Sequence, residues 1–107
     1  MILVNGKKID TTTEGYLVNP EDWSEDVAVY FSERDNIKLS DEHWRLIGYM
    51  RRYYGEYGIV PNQRQLQKLL KDEFGEARPD IHVLFPHGNA AKRAARYAGT
   101  PKPTGCI

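Results

Sequence analysis

Ser40-Asp41-Glu42-His43-Trp44-Arg45-Leu46-Ile47-Gly48-Tyr49-Met50-Arg51-Arg52-Tyr53-Tyr54-Gly55-Glu56-Tyr57-Gly58 is the stretch of this 107-residue chain whose reading decides its fold. Ser40 is a helix cap, because a short side-chain oxygen can accept the free amides of the first turn, and Asp41 and Glu42 sit where the positive end of the helix dipole favours them. Trp44, Ile47, Met50, Arg51, Tyr54 and Tyr57 then follow the three-and-four spacing of one helical face, and Gly58 supplies the stop. After Ile59-Val60-Pro61, Asn62 caps a second helix with Leu66, Leu69, Leu70 and Phe74 as its apolar face, closed by Gly75. Two consecutive helices joined by a short glycine-containing turn make a helix-turn-helix-like pair.

Upstream, Ile2-Leu3-Val4 and Lys7-Lys8-Ile9 flank Asn5-Gly6, a pair that tolerates the positive φ angles of a two-residue hairpin turn. Tyr16-Leu17-Val18 reads as an extended piece returning beside the hairpin. Asn19-Pro20 opens a helical turn, and Trp23, Val27, Val29, Tyr30 and Phe31 mark an apolar stripe over about residues 24–34. Downstream, Asp80 to Phe85 reads as a short helix or a turn, ended by Pro86. Residues 89–98 are Ala-rich and helical, with Gly99 as the stop. The fold predicted is α+β, mainly α: a small N-terminal β-hairpin followed by about five helices. A single domain spans residues 1–107, and residues 99–107, rich in Pro and Gly, form a mobile C-terminal arm.

No apolar run approaches the roughly 20 residues of a membrane span, and Met1-Ile2-Leu3-Val4 is too short for a signal-peptide core. The expected compartment is the cytoplasm. Lys and Arg balance Asp and Glu at 15 each, yet every acidic residue lies at or before Asp80. Residues 81–107, with Lys92, Arg93, Arg96 and Lys102, therefore carry +4 against −4 for residues 1–80.

The single cysteine, Cys106, belongs to this positive end and stands next to last in the chain. It cannot form an internal disulfide, and nearby positive charge favours a thiolate or an anionic persulfide. Extended at roughly 3.3 Å per residue, residues 99–106 reach about 25 Å, far enough to place the sulfur in another protein's cleft. Cys106 is either functional or an incidental exposed thiol.

Other chemistry is poorly supported. His43, His82 and His87 lack zinc-motif spacing, and no C-x-x-C exists, so no metal is expected. A cysteine on a terminal arm lacks the rigid base and oxyanion site of a cysteine protease. It also stands too close to the end for prenylation. Trp44, Tyr49, Tyr53, Tyr54 and Tyr57 with Arg45, Arg51 and Arg52 read as a core stripe with a solvated basic edge. The sharper alternative is a DNA-binding regulator, using Gln63, Arg64, Gln65, Gln67, Lys68 and Lys71 of the second helix; zero net charge argues against strong phosphate binding.

Leu84-Phe85-Pro86-His87-Gly88, Ala91-Lys92-Arg93-Ala94 and the ending Ala98-Gly99-Thr100-Pro101-Lys102-Pro103-Thr104-Gly105-Cys106-Ile107 resemble the C-terminal signature of the DsrC/TusE family. Glu14-Gly15-Tyr16-Leu17, Trp23, Leu39-Ser40-Asp41-Glu42-His43-Trp44 and Arg52-Tyr53-Tyr54 extend the resemblance over nearly the whole chain. It implies a cytoplasmic sulfur carrier in which Cys106 holds sulfur as a persulfide, with Lys102, Arg93, Arg96 and Ile107 stabilising the anion or docking a partner. No cofactor is needed. The implied partners are an upstream sulfur-donor complex and a downstream tRNA thiolase or sulfite reductase. Two-cysteine members carry a second thiol eleven positions upstream, where this chain has Ala95, and the single-cysteine pattern is similar to the tRNA-thiolation branch. Asn89 stands where the signature has proline.

Overall fold

The computed structural model describes residues 1–103; Thr104, Gly105, Cys106 and Ile107 lie outside the described residues. Strands β1 (Ile2–Val4) and β2 (Lys7–Ile9) pair antiparallel, Ile2 opposite Ile9 and Val4 opposite Lys7. Asn5 and Gly6 take φ of 50° and 79° in the turn between them, as the sequence predicts. The return of Tyr16-Leu17-Val18 is held by a bridge from Thr11 to Leu17. A single 3₁₀ turn at Pro20–Asp22, capped by the Asn19 side chain, leads into the helices.

Five helices follow: α1 (Glu25–Arg34), α2 (Asp41–Tyr57), α3 (Gln63–Phe74), α4 (Ile81–Leu84) and α5 (Ala90–Ala98). The Asp80–Phe85 stretch resolves as the one-turn helix α4, with the Asp80 carboxylate accepting the His82 amide. Each of the caps read at Ser40 and Asn62 is a reciprocal box. Asn62 exchanges hydrogen bonds with Gln65. Ser40 does the same with His43, whose Nδ1 accepts the Ser40 amide at 3.0 Å. That bond makes Nδ1 the acceptor nitrogen, so Nε2 carries the proton and donates to the Leu84 carbonyl at 2.9 Å. His43 therefore ties the start of α2 to the end of α4 and is buried without an orphaned polar atom.

The buried face of α2 differs from the expected stripe. His43, Leu46, Ile47, Tyr49 and Met50 are buried, whereas Trp44 and Tyr54 are half-buried and Tyr57 is 59% exposed. In α1 the inward residues are Val27, Ala28, Phe31 and Ser32, with Val29 turned outward.

Helix α5 sits in the middle of the helical layer and touches α1, α2, α3 and α4. Ala90, Ala91, Ala94, Ala95 and Ala98 are all buried; small side chains let the neighbouring axes approach closely, and alanine loses the least free energy on entering a helix. Asn89, just before α5, is left-handed at φ 57°, an angle closed to proline, whose ring holds φ near −65°.

Candidate functional site

The chain that leads to the cysteine leaves α5 at Gly99, and the end of the helix is fastened there from three sides. The Trp23 indole Nε1 donates to the Tyr97 carbonyl at 2.7 Å, and Arg51 Nη1 donates to the Ala98 carbonyl at 2.8 Å. The Thr100 amide and hydroxyl return to the Ala95 carbonyl at 3.0 and 3.3 Å. These donors satisfy carbonyls that a helix end otherwise leaves unpaired. The Arg51 guanidinium also lies 4.1 Å from the Trp23 ring centre, and burial lowers its pKa from the ordinary arginine value.

Trp23 is packed so closely on the chain that a Cβ at Gly99 would stand 2.6–2.9 Å from its Cδ1, Cβ and Cγ. Glycine is required twice here, by this approach and by a φ of +71°. Thr100 and Pro103 are both buried. The arm read as starting at residue 99 is thus seated on the domain as far as Pro103, because the Trp23 and Arg51 contacts that fasten its root are long-range and leave no local trace in a Pro/Gly-rich stretch.

Of the cations predicted to serve the thiol, Arg93 is committed elsewhere. Its Nη1 pairs with Asp35 at 3.1 Å and its Nε donates to the Gly88 carbonyl. Asp35 also accepts the Tyr97 hydroxyl at 2.6 Å, and burial together with this carboxylate drives the Tyr97 phenol far above the ordinary tyrosine range. Lys102 pairs with Glu14 at 2.8 Å, both side chains about half exposed.

Arg96 lies against the next residue, its Cδ 3.7 Å from where a Gly15 Cβ would stand. Its Nε is buried without a hydrogen-bond partner among the described residues. The Glu14-Gly15 turn therefore brings Arg96 and Lys102 to one patch and leaves Arg93 out of it. Cys106 and Ile107, the remaining predicted site residues, lie outside the described residues.

Sequence reasoning missed Trp23, Arg51 and Glu14 as members of this site. Trp23 was read into the α1 stripe and Arg51 into the face of α2, and neither carries a local signal of its distant carbonyl partner.

Two open clefts lie on the described surface, and neither is lined by residues 93–103. One, about 640 Å³, runs between α3 and α4 past Lys68, Lys71, Arg78 and His82. The other, about 300 Å³, lies between α2 and α3. Among the described residues no cluster of His, Cys, Asp and Glu could hold a metal ion. No helix there is long and apolar enough to cross a membrane.

A hairpin with five helices among the described residues, the last of them clamped at its C-terminal end, defines a small, mainly helical fold with one cysteine in its sequence, Cys106. The family described as "DsrC like protein" matches residues 3–107, and the chain belongs to that family. It is 42% identical over 110 residues to the sulfurtransferase TusE of Escherichia coli K12, covering all of both chains. Among solved structures, DsrC of Allochromatium vinosum is 43% identical with a TM-score of 0.86, over 99% of this chain and 96% of that one. The oxidized gamma-subunit of dissimilatory sulfite reductase from Archaeoglobus fulgidus is 41% identical with a TM-score of 0.75, over 97% and 96%.

Proposed function

We propose that this chain is a sulfur-relay protein, accepting sulfane sulfur as a persulfide on Cys106 and passing it to an acceptor protein for 2-thiolation of the tRNA wobble uridine. The observation that carries this reading is full-length similarity to TusE in a chain whose sole cysteine is Cys106. Ala95 adds to it. It occupies the place of the second thiol of two-cysteine relatives, is fully buried beneath Thr100, and cannot resolve a persulfide internally.

In the first step the Cys106 thiolate attacks the terminal sulfur of a donor persulfide. A bond from Sγ to that sulfur forms as its bond to the donor's cysteine breaks, and the donor departs as a thiolate. In the second step an acceptor thiolate attacks the same sulfur, and Cys106 leaves as a thiolate. Each step is an exchange, with no net oxidation and no cofactor. Its rate depends on thiolate fraction, nucleophilicity and access. Arg96 serves to favour the anion; in support of this, Arg93 is held by Asp35, Lys102 faces Glu14, and the Arg96 Nε has no partner among the described residues. Ile107 serves partner docking.

The test is the 2-thiouridine content of tRNA in a bacterial strain lacking its own carrier. The chain restores it and Cys106→Ser does not; equal restoration by both refutes the reading. Likeness to DsrC and sulfite reductase gamma-subunit structures favours a second reading, an accessory protein that docks on a sulfite reductase with the same persulfide chemistry. Binding to sulfite reductase without restoration of 2-thiouridine selects it.

A further inference from the structure

Tyr49, Tyr53 and Tyr57 recur every four residues on α2 and form an aromatic row apart from the seam that packs on α5. Ring centres are 5.9 Å apart for the first pair and 4.6 Å for the second, and Phe74 of α3 stands 5.8 Å from Tyr49. With Leu69 they line the cleft of about 300 Å³ between α2 and α3. Its rim carries Glu56, Asp72, Glu73 and Arg52.

None of the three carboxylates forms an ion pair with a described residue. Arg52 lies back along α2, its Nη1 3.4 Å from where a Gly48 Cβ would stand. Tyr49 is 8% exposed and lines the cleft. Burial and the neighbouring Tyr53 and Glu73 raise its pKa, so it stays a neutral phenol.

Electron-rich ring faces and unpaired carboxylates suit a cation. A guanidinium meets these demands best, being planar, able to stack on an aromatic face and able to pair two-pronged with a carboxylate. A phosphate backbone would meet net negative charge and be repelled. The exposed flank of Tyr57 and Ile59 at 59% and 48% continues the surface with apolar area suited to a protein. We propose that the α2–α3 cleft binds an arginine side chain presented by a partner protein.

The cleft lies away from the exit of the C-terminal segment. Tyr53 is two residues from Arg51, hence about 200° around the helix, and Arg51 holds the end of α5. A partner seated on the tyrosines leaves the C-terminal end of α5 unobstructed. This inference stands whether or not Cys106 carries sulfur.

The test is a ¹⁵N NMR titration of the full chain with the blocked peptide Gly-Arg-Gly, using Gly-Gln-Gly and a single-stranded oligonucleotide as comparisons. The arginine peptide is expected to shift amides of residues 49–57 and 69–74 saturably, with a Kd on the order of millimolar. The Asp72→Asn/Glu73→Gln variant weakens it by about fivefold, the scale of exposed charge pairs. Tyr57→Ala, at an exposed site, weakens it by about threefold. Equal shifts by the glutamine peptide, undiminished binding in both variants, or shifts confined to other residues would overturn the proposal. Oligonucleotide binding at these same amides would reassign the cleft to nucleic acid.

Discussion

Replacing Gly99 by alanine places a methyl group against Trp23. The backbone angle alone, φ +71°, costs an alanine about 1–2 kcal/mol. Contacts of 2.6–2.9 Å to three atoms near the base of the Trp23 side chain cannot be relieved by swinging a flexible tip aside, because the indole is tied to Tyr97 and covered by Arg51. Overpacking of this kind adds about 1–3 kcal/mol, for a total of about 2–5 kcal/mol. At about 4–8 °C per kcal/mol for a domain of this size, the melting temperature falls by roughly 20 °C near the middle of that range.

Gly58→Ala is the control, with nearly the same angle, φ +69°, and nothing within 4 Å of the added carbon. It should cost about 1–2 kcal/mol and no more. Thermal and urea unfolding followed by far-ultraviolet circular dichroism reads both variants without relying on Trp23 fluorescence. In a Trp23→Gly background, which removes all three contacted atoms, the steric part of the Gly99→Ala cost should vanish, giving a coupling of about 1–3 kcal/mol. Equal losses for Gly99→Ala and Gly58→Ala, or no coupling to Trp23, would refute the clamp as drawn.

Three further outcomes follow from the same contacts. Arg51→Met removes a charged hydrogen bond to Ala98 and the cover on Trp23; a loss of about 2 kcal/mol is expected in urea unfolding, and a loss below about 0.5 kcal/mol contradicts the bond. Arg96→Gln should slow alkylation of Cys106 near neutral pH by about twofold, the scale of losing one weak, solvent-screened charge interaction. Arg93→Gln, whose charge is spent on Asp35, should leave that rate unchanged.

Tyr97 gives a pH signature. Its phenol pKa is raised in the folded state, so the native chain keeps a proton that the unfolded chain loses near pH 10. Its contribution is complete below that pH and is lost above it, with a slope of about 1.4 kcal/mol per pH unit. Tyr97→Phe should flatten the alkaline fall in stability, and unchanged curves would contradict the Asp35 contact.

The readable parts of the sequence were those whose cause is local. Asn5-Gly6, the Ser40 and Asn62 caps, and the stops at Gly58, Gly75 and Gly99 each act within a few residues, and each lies at an element boundary in the structure. The facing of α2 was not legible. Its apolar and aromatic residues form two seams, one through His43, Leu46 and Met50 and one through Tyr49, Tyr53 and Tyr57, and periodicity cannot say which meets α5. Burial of His43 depended on the Leu84 carbonyl, 41 residues away.

The site divides in the same way. Cys106, Lys102, Arg93 and Arg96 stood out by position and charge, whereas the Glu14 partner of Lys102 is 88 residues distant and the Asp35 partner of Arg93 lies at the end of α1. Long-range pairing decided which cations remain available, and no neighbour in sequence records it.

The central claim is that Cys106 carries a single sulfane sulfur. Intact-mass analysis of the chain after incubation with a cysteine desulfurase and cysteine tests it most directly. The account predicts a gain equal to one sulfur atom, removed by a reducing agent and absent in Cys106→Ser. A chain that gains no sulfur, or a Cys106→Ser variant that gains it equally, would contradict the account.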